Sequence, residues 1–387
     1  MENENSRIFR ERFGAAPAVT AAAPGRLEVL GNHTDYNEGF VLSAAVDRRT
    51  TVSMSPVEGS VCTIHEHGKD VTLDLNDLEN CVKGDWRNYL KGLLLEIRKR
   101  GKSFGAFNAV LSSTVPLSAG MSSSAALEMA FSFALKTIYG IEFSLPDWAR
   151  IGQGVENNFM GLKTGLLDQF SSLYGKKDSL ILCDFRSVEV LKTVPMPAGW
   201  SMVVANTMVK HNLVDSAYND RRRSCENALA AIQKTHPEVR ALRDVDLATL
   251  ESCRADMDLT DYKRAVHVVG EDERVMRAVA LLDAGDIRGF GKLLFESHES
   301  SRTMFENSCP ELDALVEIAR SIPGCAGARL SGGGFGGISI HLVESGAAEE
   351  YCGRLKTAYH AMTGRTVETL ICGIGSGATI LQGEKNI

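Results

Sequence analysis

Hydrophobic and polar positions follow two different periods along this chain, and together they predict a mixture of strands and helices. Runs rich in Val, Ala and Thr favour strands, because branched side chains pack well on a pleated surface. Between 214 and 322 the apolar residues recur at helical spacing almost throughout. The segments with strand character are 17–23, 40–56, 179–205, 328–343 and 366–381.

Three further helices are predicted in the first half of the chain. Asp85 can cap a helix whose apolar positions recur at helical spacing as far as Ile97. The helix that begins near Ser124 is apolar on most of its sides, so we expect it to be deeply buried. A third helix should begin after Ser144 and carry Glu156 near its far end.

Length and composition indicate an ordinary globular protein with more than one core. The chain has 387 residues, with 44% hydrophobic and 24% charged positions. A single core rarely grows to this size, so we expect two domains. The change from strand to helix character near 205 divides the chain into 1–205 and 206–387.

The net charge argues against nucleic acid and anionic membranes as partners, and the cysteines indicate the compartment. A formal net charge of −7 gives no broad attraction to nucleic acid or to an anionic membrane. No apolar run approaches the ~18 residues that would span a bilayer, and the polar segment 1–5 does not resemble a signal peptide. Nine scattered cysteines without a Cys-x-x-Cys pair favour reduced thiols. We therefore expect a cytoplasmic protein.

Two segments carry residues that suit phosphate binding. Five of the seven residues in 331–337 are glycines, which leave backbone N–H groups open to an anion. Far upstream, 116–126 contains three consecutive serines at the start of a predicted helix, where free N–H groups attract phosphate. Together they indicate phosphoryl transfer. The Gly-x-x-x-x-Gly-Lys-Ser/Thr pattern of P-loop enzymes does not occur in the sequence.

A third segment, 24–37, completes an ordered set that resembles the GHMP small-molecule kinases. Its Pro-Gly-Arg and Gly-Asn-His-Thr-Asp-Tyr runs resemble galactokinases in particular, and further agreement extends over nearly the whole chain. The resemblance implies an α/β (α+β) fold with two domains and with mixed and antiparallel sheets flanked by helices. It places the active site in the cleft between the domains, where the serine-rich and glycine-rich segments should meet.

The resemblance assigns catalysis to Arg26 and Asp168. The aspartate would accept or orient the proton of a sugar hydroxyl, and the arginine would stabilise charge on the transferred phosphoryl group. Asp35 is the most diagnostic sugar-binding position, because a carboxylate can accept hydrogen bonds from two adjacent hydroxyls and so reject epimers. The matched substrate-binding positions are Asn32, His33, Asp35, Gly165 and Tyr218.

The resemblance also implies ATP as the phosphoryl donor and Mg²⁺ as its metal. Ser123 and Glu156 are the expected metal ligands, since Mg²⁺ prefers hydroxyl and carboxylate oxygens. We expect a small-molecule sugar and ATP as the only partners, and a monomer or weak dimer. The matched nucleotide-binding positions are Trp86, Tyr89, Gly120, Ser122, Ser123, Ser124, Gly333 and Gly334.

The sequence departs from the usual galactokinase pattern at two positions. Most members have Asn and Glu where this chain has Glu28 and Asn32, and the family's glutamate at the second position faces the sugar's C6 hydroxyl. Its loss would relieve repulsion against a C6 carboxylate, so galacturonate is one alternative substrate. Alternatively, the two residues have exchanged roles within one pocket, because positions separated by an even number share a face in an extended segment. We favour the exchange. Ser118 also replaces a glycine of the second segment.

Three functions compete on these residues. A sugar sensor without catalysis would typically lose part of the serine segment, but 122–126 is complete here. GHMP kinases for alcohols such as mevalonate or homoserine lack the His-Thr-Asp-Tyr run found at 33–36. We therefore expect an ATP-dependent sugar 1-kinase that converts D-galactose to α-D-galactose 1-phosphate. The alternative is a kinase for galacturonate or for another galactose modified at C6 or C2.

Overall fold

The computed structural model describes residues 3–116, 120–210 and 214–383, so the predicted effect of Ser118 lies outside the described residues. Among the described helices we find none long and apolar enough to cross a membrane. The helices are α1 Glu4–Phe13, α2 Arg87–Lys99, α3 Ser123–Tyr139, α4 Leu145–Gly154, α5 Leu167–Tyr174, α6 Val214–Ile232, α7 Leu247–Ser252, α8 Leu259–Asp283, α9 Ile287–Ser300, α10 Pro310–Ser321 and α11 Ala348–Thr363. The strands are β1 Val19–Leu30, β2 Phe40–Val57, β3 Val61–Glu66, β4 Lys69–Asp74, β5 Ala106–Ser113, β6 Ser179–Asp184, β7 Glu189–Pro195, β8 Trp200–Lys210, β9 Cys325–Ser331, β10 Gly336–Glu344, β11 Glu368–Cys372 and β12 Thr379–Gly383.

The first sheet has eight strands and is organised by the long strand β2. Its main order is β12-β1-β2-β5-β3-β4, and β6 joins β2 on one side and β7 on the other. At 18 residues, β2 is long enough to pair with β6 over Phe40–Ser43 and with β5 over Thr50–Val57. Strands β3 and β5 run parallel, whereas the other described pairs of this sheet are antiparallel. The predicted mixed sheet is confirmed.

The second sheet has four antiparallel strands in the order β11-β8-β10-β9. Helices α9, α10 and α11 pack beside it. Strand β8 already begins at Trp200, five residues before the predicted boundary at 205, and β12 returns to pair with β1 of the first sheet. Sheet membership therefore does not follow the chain order, and the division into 1–205 and 206–387 stays a prediction.

Strand β1 is longer than the sequence pattern predicts. We expected it to end at 23, because Pro24 and Gly25 usually mark a turn. Instead β1 continues to Leu30 and stays paired with β2 through two register shifts. Such irregularities absorb residues that break a regular ladder. The Pro-Gly-Arg run therefore lies on a strand that pairs with β2, and Arg26 projects from that strand rather than from a turn.

The predicted helices are present, with small differences at their ends. Asp85 accepts a hydrogen bond from the backbone N–H of Arg87, although the helix begins at Arg87 itself. Ser144 caps α4, and Glu156 follows α4 directly in a short π-helical turn, Val155–Phe159. Helices α1, α5 and α11 were not predicted.

The strand β9, which leads into the glycine segment, packs unusually close to α9. A Cβ atom added at Gly327 would lie 2.0 Å from the carbonyl oxygen of Gly291, and one at Gly291 would lie 2.3 Å from that of Ala326. Both contacts involve backbone, which cannot move aside cheaply. The two glycines therefore set the distance between helix and strand.

We expect Gly327→Ala to destabilise the protein by more than about 2 kcal/mol, because overpacking forces backbone shifts. Gly353→Ala is the matched control, since Gly353 lies within α11 and an added Cβ there meets nothing within 4 Å. The control should stabilise the helix by up to about 1 kcal/mol. Urea unfolding of both variants measures the difference. Equal stabilities would show that the helix and strand can separate freely.

Candidate active site

An ion pair between Arg26 and Asp168 lies at the centre of the site. Arg26 projects from β1, and Asp168 lies in the first turn of α5. Both Nε and Nη2 of the arginine lie 2.7 Å from Asp168 Oδ1, and Nη1 donates to the carbonyl oxygen of Gly120 at 2.6 Å. Ser122 Oγ donates to Asp168 Oδ2. The two predicted catalytic residues therefore meet, although they are far apart in the sequence.

A cavity of about 190 Å³ lies on one side of this ion pair. Its volume is below the usual range of drug-sized sites, and its walls carry charged and polar groups, which suits a small polar ligand. Four of the five predicted substrate-binding residues line it, together with both predicted catalytic residues. The lining residues are Arg26, Glu28, His33, Asp35, Thr164, Gly165, Leu167, Asp168, Tyr218, Gly332 and Gly333.

His33 enters the cavity wall in a left-handed conformation, with φ of 62°. Its Nε2 lies 3.3 Å from the carbonyl oxygen of Gly333, and its Nδ1 lies 2.8 Å from the hydroxyl of Tyr36. A carbonyl can only accept, so Nε2 carries the proton and Nδ1 accepts from the tyrosine. Burial lowers the pKa of His33 to about 3. The imidazole is therefore neutral and serves as a hydrogen-bonding and packing group.

Asp35 and Gly165 are in direct contact at the cavity wall. A Cβ atom at Gly165 would lie 1.6 Å from Asp35 Oδ2, so only glycine fits beside this carboxylate. Asp35 accepts from the backbone N–H of Tyr36 at 2.9 Å and of Leu167 at 3.4 Å. Burial, followed by the charges of Glu28 and Asp168, raises the pKa of Asp35 to about 6. Asp35 is therefore held in place by backbone donors while its charge remains poorly compensated.

Glu28 and Asn32 occupy one hydrogen-bonded group, as the exchange hypothesis requires. Asn32 Nδ2 donates to Glu28 Oε1 at 2.8 Å. We predicted that the two side chains would share a face of an extended strand. Instead the strand ends at Leu30, and a turn at Gly31, with φ of 97°, brings them together. Glu28 lines the cavity, whereas Asn32 is fully buried behind it and is not among the described lining residues. Of the two residues, the carboxylate at position 28 is therefore the one that lines the cavity.

A larger cavity, of about 600 Å³, lies on the other side of the ion pair. The N-terminus of α3 points into it, where free backbone N–H groups favour an anion. All predicted nucleotide-binding residues line it except Gly334, which is not among the described lining residues and packs against the backbone of Asn307. The lining residues are Arg26, Thr50, Glu66, Gly84, Trp86, Tyr89, Leu111, Ser113, Gly120, Met121, Ser122, Ser123, Ser124, Leu127, Asp168, Gly332 and Gly333.

Four residues line both cavities: Arg26, Asp168, Gly332 and Gly333. A group bound in the small cavity and a group bound in the large one would therefore meet across a carboxylate and a guanidinium. A carboxylate can take or orient a proton, and a guanidinium can stabilise a phosphoryl group in transfer. This shared wall can support transfer of a charged group from one ligand to the other.

Glu156 lies beside the serine segment, where the metal of a bound nucleotide was predicted. Its Oε1 is 3.4 Å from Ser124 Oγ, and its Oε2 accepts from Thr164 Oγ1 at 2.6 Å. Burial, and next the charge of Asp168, raises the pKa of Glu156 to about 7. A carboxylate with neighbouring hydroxyls is the donor set that Mg²⁺ prefers. The residues fit a magnesium ion. Ser123 was the predicted metal ligand, but the serine with a described hydrogen bond to Glu156 is Ser124.

The loop that carries His33 and Asp35 is held at both ends by helix α8. Glu271 Oε2 accepts from the backbone N–H groups of Gly31 at 3.1 Å and Asn32 at 2.9 Å. Asp272 Oδ1 accepts from the N–H of Phe40 at 2.6 Å. Although burial opposes it, the charge of Arg274 lowers the pKa of Glu271. Local patterns do not predict these hydrogen bonds, because they join segments more than 200 residues apart.

Three family models match the chain. The galactokinase galactose-binding signature matches residues 7–56, the GHMP kinase N-terminal domain matches 88–176, and the GHMP kinase C-terminal domain matches 278–361. Two similar proteins are named galactokinase. That of Roseiflexus sp. (strain RS-1) is 37% identical over 95% of this chain and 94% of its own, and that of Chloroflexus aggregans is 34% identical over 96% and 95%.

The fold is also similar to solved structures. Lactococcus lactis galactokinase, solved in complex with galactose, superposes with a TM-score of 0.91 at 29% identity, over 97% of this chain and 98% of that one. Methanococcus jannaschii mevalonate kinase superposes with a TM-score of 0.62 at 17% identity, over 93% and 99%. The second similarity shows a shared fold alone.

We expect Asp35 to make stability depend on pH. Its folded pKa of about 6 exceeds the ~3.9 of an unfolded aspartate, so its contribution is fully present below about pH 4 and is lost as pH rises through about 6. Asp35→Asn should therefore gain stability relative to wild type between pH 4 and 7.5. Because the carboxylate borders a polar cavity, we expect a gain of about 1 kcal/mol. Urea unfolding at both pH values measures it. Asp77→Asn, at an exposed loop position, is the control, and an equal response of both variants would contradict the assignment.

Proposed function

The chain belongs to the galactokinase family of the GHMP kinases, and from this premise we propose how its residues transfer a phosphoryl group from ATP to the anomeric hydroxyl of D-galactose. It is a sugar kinase of the phosphotransferase class. The observation that carries the mechanism is the wall shared by the two cavities, which contains Arg26 and Asp168. The products would be α-D-galactose 1-phosphate and ADP.

The small cavity is the proposed sugar site. Asp35 can accept hydrogen bonds from two neighbouring hydroxyls, and His33 and Tyr218 supply packing and further polar contacts. Glu28 presents a carboxylate to the same cavity, and a second carboxylate on the ligand would be repelled there. We therefore favour a neutral sugar, galactose, over galacturonate. This arrangement supports the interpretation that Glu28 and Asn32 have exchanged roles.

Asp168 and Arg26 would act on the reacting atoms. Asp168 orients the anomeric hydroxyl and accepts its proton as the hydroxyl oxygen attacks the γ-phosphorus, while the bond from that phosphorus to the β-γ bridging oxygen of ATP breaks. Ser122 and Arg26 each hold one oxygen of this carboxylate, so its direction is fixed before the sugar arrives. The guanidinium of Arg26 would stabilise the charge spread over the transferring group.

The large cavity is the proposed nucleotide site. Its aromatic side chains Trp86 and Tyr89 would contact the base, and the start of α3 would bind the phosphates through backbone N–H groups and serine hydroxyls. Glu156, with Ser123 or Ser124, would hold Mg²⁺. The metal would neutralise phosphate charge when bound. We also propose a cytoplasmic location, in keeping with nine free cysteines. We propose that the protein is a monomer or a weak dimer.

A panel of sugars tests the substrate. ATP consumption should be faster with galactose than with galacturonate, N-acetylgalactosamine, glucose or arabinose. Glu28→Gln removes the carboxylate from the sugar cavity and should raise the relative rate with galacturonate. Glu58→Gln is the control, because Glu58 is exposed and lines neither cavity among the described residues, and it should leave the relative rate unchanged. Faster phosphorylation of galacturonate than of galactose by the wild-type protein would overturn the proposal.

Asp168→Asn tests the catalytic assignment. The amide keeps the shape of the side chain but cannot accept the proton, so turnover should fall by ~10²–10⁴-fold. Galactose binding should weaken far less, since the cavity keeps its other polar groups. Steady-state kinetics and calorimetric binding of galactose separate the two effects. Turnover close to that of wild type would exclude Asp168 as the proton acceptor.

A further inference from the structure

Asn307 lies directly behind the glycine segment and is fully buried. It follows the π-helical turn Ser301–Phe305, and its backbone N–H donates to the carbonyl of Ser301 at 3.2 Å. Its own carbonyl accepts from the N–H of Phe335 at 2.6 Å. The backbone of Asn307 is therefore fixed on both sides, which leaves its side chain a defined position.

The side chains of Asn307 and Asn32 form an amide bridge behind both cavities. Asn307 Nδ2 donates to Asn32 Oδ1 at 2.9 Å and to the carbonyl of Gly333 at 3.2 Å. Asn32 Nδ2 donates to Glu28 Oε1 at 2.8 Å and to the carbonyl of Gly332 at 2.9 Å. Each amide nitrogen thus uses both of its protons. If the Asn307 amide were turned over, its oxygen would face the oxygens of Asn32 and Gly333. If the Asn32 amide were turned over, its oxygen would face those of Glu28 and Gly332. The hydrogen bonds therefore allow one orientation of each amide.

The amide bridge contacts the Glu28 carboxylate at the wall of the proposed sugar cavity. Among the described residues, Asn32 Nδ2 and Arg329 Nη2 both donate to Oε1, the latter at 3.1 Å. The other carboxylate oxygen is then the one that a ligand hydroxyl can reach. The orientation of Asn32 depends in turn on Asn307, whose Oδ1 has no hydrogen-bond partner among the described residues. Asn307 is thus placed here as a donor.

We propose that Asn307 is a positioning residue for sugar selectivity, acting through Asn32 on the Glu28 carboxylate and on the carbonyls of Gly332 and Gly333. The inference rests on the proposed function and deepens it. With the amide bridge intact, Glu28 accepts a hydrogen bond from a neutral sugar and repels an anionic one. Without the Asn307 donor, the Asn32 amide can turn its oxygen toward Glu28 and push the carboxylate away.

A double-mutant cycle separates positioning from a structural effect. Asn307→Asp keeps the shape, loses both amide protons and adds a carboxyl group, and we expect the dissociation constant for galactose to rise by about tenfold. In a Glu28→Gln background the same change should cost less than threefold, because the carboxylate that Asn307 positions is gone. The preference for galactose over galacturonate should fall in the single variant as well. Calorimetric titration without nucleotide supplies the binding values.

Asn5→Asp is the matched control. Asn5 is also buried and donates through Nδ2 to two backbone carbonyls, those of Thr51 and Val110, but it lines neither cavity among the described residues. It should leave galactose affinity unchanged in both backgrounds. Asn307→Ser, which is neutral and keeps one shorter donor, enters the same cycle with a smaller expected effect. Coupling in this variant cannot come from an added carboxyl group, and the variant also serves if Asn307→Asp fails to fold.

Strictly additive effects of the position 307 and position 28 changes would overturn the inference and leave Asn307 a structural residue. An unchanged preference between the two sugars in the single variant would do the same. If wild type prefers another sugar of the panel, the proposed function falls. The cycle is then run with that sugar, so that it still decides whether Asn307 acts through Glu28.

Discussion

The ion pair between Arg26 and Asp168 is the interaction on which the rest of the site depends. It joins strand β1 to the first turn of α5, and through Gly120 and Ser122 it also holds the segment that begins α3. Removing one partner of a largely buried pair leaves an uncompensated charge, which typically costs about 3–5 kcal/mol. The pair therefore fixes three elements at the place where the two cavities meet.

Behind the proposed sugar cavity, charged groups occupy space that apolar side chains would normally fill. Glu28 and Arg329 form an ion pair that is almost completely buried, and Glu271 pairs with Arg274 beside it. Burial raises the pKa of Glu28, and the charge of Arg329 opposes that rise. Buried ion pairs contribute little net stability compared with apolar packing. These ion pairs instead define the positions of the side chains, because a buried network of hydrogen bonds and ion pairs favours one arrangement of its members.

Particular residues show where sequence reasoning succeeded and where it failed. The helix cap at Ser144 and the buried helix after Ser124 follow from local periodicity and capping, and the structure has both. Strand β1 was predicted too short, because Pro24 and Gly25 signal a turn locally while pairing with β2 carries the strand onward. Glu28 and Asn32 do meet, but a turn at Gly31 brings them together rather than the alternation of an extended strand. Gly334 packs against Asn307 instead of the larger cavity.

The sequence by itself determined the family, the class of chemistry and most residues of the two cavities, because ordered segments with unusual glycine, serine and charged residues are specific to that chemistry. It also determined most helices, since helical periodicity depends on which side of each element is buried. Only the tertiary structure decided that Glu28 rather than Asn32 lines the smaller cavity and that Asn307 lies behind it, bonded to Asn32. Periodicity reports local burial, whereas these contacts depend on how distant elements pack and on the direction in which each buried amide or carboxylate finds its partner.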